Sequence, residues 1–254
     1  MNKYNVKKFF LIILIVIVTS AVFVSIRTNK VITPIDNITD ENITTGEEEP
    51  INICYYRSTK TDNDFYNVAW LKLNILGKNI SGEFQNLPAE SDSKIGIFEG
   101  QVEVADQKSM TGTANVWWKS HAEGMEVKEE LEIQFGDGSA TVGFGEMVDR
   151  GDGVYIYKNK NNLYYIEQMN QYDCEYLDEK LFAEKYIRDN ISTIATNDAV
   201  LGGTWYVVAV TINPTNKSGE VAYEDGHILS NAKLEYIYKN NPQSFTITKF
   251  EVIK

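Results

Sequence analysis

The stretch MEVKEELEIQFGDGSATVGFGEM, residues 125–147, decides the fold class. Met125, Val127, Leu131, Ile133 and Phe135 fall on one face of an extended chain, and Glu126, Lys128, Glu130, Glu132 and Gln134 on the other. A period of two marks a half-buried β-strand. Asp137-Gly138 suits a two-residue type I′ turn, after which Ala140, Val142, Phe144 and Val148 continue an apolar face in the returning strand. That turn predicts Phe135 opposite Ala140, Ile133 opposite Val142 and Leu131 opposite Phe144. A three-residue turn would put the apolar faces out of step. Two carboxylates interrupt the inner face, Glu129 and Glu146. The same register sets them opposite each other, with Cβ atoms about 4.5–5.5 Å apart.

Facing carboxylates in an apolar interior cannot both ionise cheaply, so they must share a proton, bind a cation or recruit a base. Arg150 falls on the same face and is one candidate base. The functional expectation is that Glu129, Glu146 and Arg150 are the interior polar groups of a ligand site. The plainer alternative is a solvent-filled barrel mouth or a structural ion pair. The carboxylate spacing would also suit a retaining glycosidase, but no second polar cluster accompanies it, and no catalytic residue is assigned.

Working outward, the alternation recurs in eight segments near residues 68–75, 80–85, 96–104, 110–118, 125–135, 139–148, 153–158 and 163–168. Turn residues separate them about every ten positions. Eight short strands linked in sequence predict an antiparallel up-and-down barrel over residues 51–175, with room for one small or lipid-like ligand. The chain has two cysteines, Cys54 and Cys174, which bracket all eight strands. Outside the cytoplasm such a pair is most simply a disulfide, here tying the two ends of the barrel together. Residues 176–254 read differently. Ala183, Ile187, Ile191 and Ile194 form a helical stripe over 178–196, with Asp178 as its expected N-cap. Strands follow at 204–213, 219–223 with 227–230, 232–238 and 244–252. One helix before an antiparallel meander predicts a small α+β domain.

Before residue 51 the chain carries an address rather than a domain. Phe9–Ile26 is an uncharged apolar run of 18 residues, about 27 Å as a helix, near the thickness of a bilayer core. Lys3, Lys7 and Lys8 precede it and favour a cytoplasmic amino terminus; Arg27 and Lys30 on the far side weaken that orientation without reversing it. The run exceeds a usual signal-peptide core and lacks a clean small-x-small site, so residues 1–30 read as a retained single-pass anchor, with a cleaved signal as the alternative. Residues 31–50 lack periodicity and end in GEEEP, an acidic solvated linker. Both later domains are then extracytoplasmic. After residue 30 the chain has 19 basic and 36 acidic side chains, a net of −17. That charge argues against nucleic acid as a partner.

The segments WLKLNI (70–75), LPAESDSKIGIFEG (87–100), VWW (116–118) and the run from Gly124 to Tyr157 resemble exported, membrane-anchored proteins of candidate-phyla bacteria (Patescibacteria). The resemblance covers Cys54 to Cys174 and, more loosely, the carboxyl-terminal segment. It implies export but brings no assigned activity and no functional residues. The barrel also looks loosely lipocalin-like at the level of fold, without the early Gly-x-Trp motif of that family. Two partner classes follow: a small hydrophobic ligand held in the barrel, or an envelope protein docked on a solid one.

The remaining motifs have local explanations. Arg150-Gly151-Asp152 matches an integrin tripeptide but lies where a turn is required. Sequons begin at Asn37, Asn42, Asn79, Asn190 and Asn216, in a chain rich in Asn, Lys and Ile. His121 and His227 are isolated, too few for a conventional zinc site, and no cofactor motif occurs. Trp117 and Trp118 must point to opposite faces of their strand, one into the core and one out.

Overall fold

The computed structural model describes residues 49–253, apart from 63–65, 90–91, 107–109, 123, 167 and 201–202. The expected membrane span Phe9–Ile26 and nearly all of the linker lie outside the described residues. Among the described residues no helix is long and apolar enough to cross a membrane.

Among the described residues, eleven strands precede the long helix: β1 (Ile51–Lys60), β2 (Tyr66–Leu76), β3 (Asn79–Leu87), β4 (Lys94–Asp106), β5 (Thr111–Ala122), β6 (Met125–Gly136), β7 (Ser139–Phe144), β8 (Met147–Asp149), β9 (Val154–Tyr157), β10 (Tyr164–Tyr165) and β11 (Met169–Tyr172). The first seven form an antiparallel meander, and β11 pairs with both β7 and β1. An eight-stranded antiparallel barrel is therefore closed. Its membership differs from the sequence reading. The segments expected at 153–158 and 163–168 are β9 and β10, which lie outside the ring, while β1 and β11 complete it.

The barrel interior is filled. Leu71, Phe84, Trp118, Leu131, Ile133 and Met169 are essentially inaccessible and belong to one apolar cluster. Close approach of strands is needed for this. At Gly82 a Cβ would run into the Lys72 carbonyl and the Phe98 ring, so glycine lets Phe98 fill the space.

The β6–β7 hairpin has the expected turn. Asp137 and Gly138 both take positive φ, 49° and 77°, as type I′ requires, and Phe135↔Ala140 and Ile133↔Val142 pair. The ladder then stops at Glu132↔Gly143. Beyond Phe144 the chain leaves β6, and β9 takes the vacated position, pairing in parallel through Lys128↔Val154 and Glu129↔Tyr155. The departure is built by Tyr157, whose buried hydroxyl accepts from the Glu132 amide (3.1 Å) and donates to the Gly143 carbonyl (2.8 Å). It is reinforced by Gly145, where a Cβ would come within 2.8 Å of the Leu163 side chain.

The second layer is α1 (Cys174–Ile194) against β12 (Tyr206–Asn213), β13 (Ser218–Glu224), β14 (Leu229–Lys239) and β15 (Ser244–Ile253), an antiparallel sheet in that order. The helix starts earlier than expected and its N-cap is Asp173, not Asp178: the Asp173 carboxylate accepts from the Tyr176 amide at 3.0 Å. Ala183, Ile187 and Ile191 pack on Trp205, Tyr223, Leu234 and Tyr236 to form a second core. The helix also touches the barrel. Leu177 joins Cys54 and Trp70 in a small cluster on the outer face of β1 and β2, and Cys54 is disulfide-bonded to Cys174 with Cα atoms 5.2 Å apart. The bridge joins β1, the first strand of the ring, to a residue two positions past β11, its last, so it ties the two ends of the barrel together as expected. It also pins the start of α1 to the barrel wall.

Candidate functional site at the barrel mouth

Strand alternation places polar side chains one layer above the apolar core at one end of the barrel. On β3, Asn86 follows the inward phase of Phe84; on β4, Lys94 precedes that of Phe98; on β5, Ser120 follows Trp118; on β6, Glu129 precedes Leu131. Glu129 is buried. Its Oε1 accepts from Lys94 Nζ at 2.8 Å and from Ser120 Oγ at 3.2 Å. Lys94 Nζ also stands 5.8 Å from the centre of the Trp118 ring, which lies directly across the β5–β6 ladder from Glu129. Among the described residues the buried Trp118 Nε1 meets no acceptor, a cost of roughly 1–3 kcal/mol set against packing on Phe84 at 5.1 Å between ring centres.

Above this floor is an open cleft of about 370 Å³. Its apolar side comes largely from the segment between β7 and β11, and its other side from β3, β4, β6 and the β3–β4 connection. Tyr164 is exposed and stacks on Phe144, with centroids 6.1 Å apart at 30°. Met147, Tyr157 and Ile166 complete the apolar side. Asp92 and Glu130 join Lys94 and Glu129 on the polar side, and Glu130 is bridged by Lys160 at 2.6 Å. Burial pushes the Tyr157 phenol well above its ordinary range, with Glu130, Glu132 and Glu129 also raising it once its bond to the Glu132 amide has opposed them. It is thus a neutral hydrogen-bonding wall at any ordinary pH.

Of the three residues expected to converge, the structure brings only Glu129 to this floor. Glu146 is at the surface, its side chain 70% exposed and paired with Lys158 at 2.6 Å. The Glu129–Glu146 pairing fails because β7 has already left β6 at Phe144. Arg150 lies in the exposed turn after β8, where its guanidinium meets Asp152 at 2.5 Å and stands 5.5 Å from the Trp117 ring. Asp149 accepts from the Gly151 and Gly153 amides, so residues 149–153 are a self-satisfied turn. Trp117 is the outward partner of core Trp118, as the alternation required.

Lys94 and Ser120 were not singled out from sequence. The signal was present: each is the polar residue in phase with a run of inward apolar positions, as Glu129 is. Three larger open grooves, of about 710, 570 and 510 Å³, line the far end of the barrel, its outer face at Trp117 and the second sheet near Tyr66. Among the described residues, none of the three is lined by a buried charged side chain. Among the described residues no group of three or more His, Cys, Asp or Glu is placed to hold a metal ion. Comparison of the chain with protein-family models, with curated proteins and with solved structures found no match.

Proposed function

We propose that this is a membrane-tethered extracytoplasmic binding protein that takes a small ligand in the cleft above Glu129 rather than along the barrel axis. The observation that carries this reading is the buried Glu129 carboxylate on the floor of an open, aromatic-walled cleft. A mostly apolar concavity with a few convergent polar groups is the usual form of a small-molecule site, and about 370 Å³ lies at the small end of that range. The apolar run Phe9–Ile26 and the disulfide support the extracytoplasmic address. The filled interior weighs against a long lipid chain threaded through the barrel.

The filled interior also favours a second reading, in which the barrel is a solid scaffold that docks an envelope protein. A fragment screen by NMR on the full-length chain in detergent separates the two. Fragments that shift the amides of Lys94, Ser120 and Glu129 and the side chain of Trp118 support the ligand reading. If binders map only to outer faces, or none bind, the scaffold reading replaces it.

A further inference from the structure

We infer that the mouth cleft selects a small organic cation, a substituted ammonium, which takes the place of the Lys94 amine on Glu129; this rests on the cleft being the ligand site. Three observations converge on that chemistry. First, the charged residues among those described as lining the cleft are mostly acidic: Asp92, Glu129 and Glu130, beside Lys94. Lys160 balances Glu130. Arg57 lies in the inward phase of β1 but does not line the cleft.

Second, an ammonium group is already bound here, the protein's own. Lys94 Nζ sits between the Glu129 carboxylate at 2.8 Å and the Trp118 ring at 5.8 Å. That is a carboxylate and an aromatic face on one cation, the arrangement by which proteins hold substituted ammonium groups. Lys94 is on the rim, its side chain 36% exposed, and can swing into solvent, whereas Glu129 is 11% exposed and cannot. A ligand cation can therefore displace the lysine without stranding a buried charge. Glu129 uses only Oε1 for both Lys94 and Ser120, so Ser120 can keep the carboxylate oriented during the exchange.

Third, the opposite wall offers a further aromatic surface. Tyr164 is 66% exposed and held flat by Phe144, so a ligand's methyl or methylene groups meet a ring whose position is fixed. The net charge of −17 after residue 30 raises the local concentration of cations at the protein surface.

The test compares choline with its uncharged isostere 3,3-dimethylbutan-1-ol, by saturation-transfer NMR and Trp fluorescence on the full-length chain in detergent. Choline should bind saturably and at least about tenfold more tightly than the alcohol, a difference of about 1.4 kcal/mol. Glu129→Gln and Tyr164→Ala should each weaken it by about tenfold. Tyr164 is a surface residue, so its variant reports on binding if Glu129→Gln folds poorly. Lys94→Met removes the competing amine and should tighten choline several-fold, a gain that a purely structural lysine would not produce. Equal binding of choline and the alcohol, or loss of choline binding in Lys94→Met, overturns the cation inference. If the alcohol still binds and Tyr164→Ala abolishes it, the cleft itself survives as the ligand site. If neither probe binds, the cation inference fails, and the fragment screen alone decides the cleft.

Discussion

Lys94 and Glu129 are unequal partners, and the inequality sets what each mutation should do to stability. The Lys94 side chain is 36% exposed and that of Glu129 11%. Partial exposure screens the pair, so the attraction itself is worth only about 0–1 kcal/mol. Removing the acid by Glu129→Gln leaves a lysine that can rehydrate, and the loss should stay within about 1 kcal/mol. Removing the base by Lys94→Met leaves a buried carboxylate with only Ser120, which should cost about 1–3 kcal/mol in urea unfolding. The reverse order would mean that Glu129 is better hydrated than its burial implies. Asp225 gives the complementary case in the second layer. Its carboxylate is held below its ordinary range first by the Val200 amide and then by the Ile228 amide, with burial opposing and the His227 amide assisting. A depressed native pKa contributes stability above the unfolded value, about 3.9, and that contribution is lost as pH falls through the native one. Asp225→Asn should therefore destabilise the protein at neutral pH and flatten its acid unfolding below about pH 4; an unchanged acid limb would count against this role.

At the level of elements, the point where β7 leaves β6 creates the cleft, and Tyr157 holds it. In Tyr157→Phe the Glu132 amide and the Gly143 carbonyl lose their shared partner, which should cost about 1–3 kcal/mol. Hydrogen exchange should localise the effect to the Glu132 amide. Uniform loosening of the barrel would instead indicate that the ring's packing, not its hydroxyl, is what matters. This junction is also where sequence reading parted from the structure. The hairpin turn and the first register pairs of β6 and β7 were legible because alternation and turn chemistry are local. The departure was not, since the apolar phase of Val148 continues that of Phe144, and only the tertiary placement of Tyr157 and Leu163 breaks it. β1 was hidden for a different reason. Ile53 and Tyr55 face the barrel core while Cys54 faces α1, so buried residues follow one another and the period of two disappears. β11 is short and loses the period for the opposite reason, since Met169 is buried while Asn170 and Gln171 are both exposed. Of the candidate site, Glu129 was legible as a break in a clean pattern. Glu146 and Arg150 were carried along by the extended register and fell with it.

Across the described molecule, the second core and a small apolar cluster on the outer barrel wall share one helix, and the joint between barrel and sheet has both covalent and polar parts. Leu177 and Leu181 face the barrel cluster, whereas Ala183, Ile187 and Ile191 face the second sheet. Between them Lys180, almost fully buried, donates to the Ile212 carbonyl at 3.0 Å, pairs with Glu184 at 2.7 Å and stands 5.1 Å from the Tyr56 ring on β1. Burial alone would lower its pKa; Glu184 and Tyr56 outweigh that and the net direction is upward. Its contribution to stability is thus present below the unfolded lysine pKa, about 10.4, and is lost as pH rises through the native value. Glu179, also buried, accepts from the Tyr236 hydroxyl at 2.7 Å and from Lys217 at 2.6 Å on the opposite side. The polar links from α1 to the second sheet therefore outnumber its links to the barrel, where Lys72–Asp178 is exposed and adds little. The disulfide supplies what the barrel side lacks. It closes a separation of 120 residues, which in the chain-entropy model stabilises by up to about 5 kcal/mol. Replacing both cysteines by serine should lower global stability by about 2–5 kcal/mol, and hydrogen exchange should then show a graded helix. Amides of residues 177–181 should lose protection first, while those of 187–191 stay protected by the second core. Equal loss along α1 would mean that barrel, helix and sheet unfold as one unit and that the bridge acts on all of them alike.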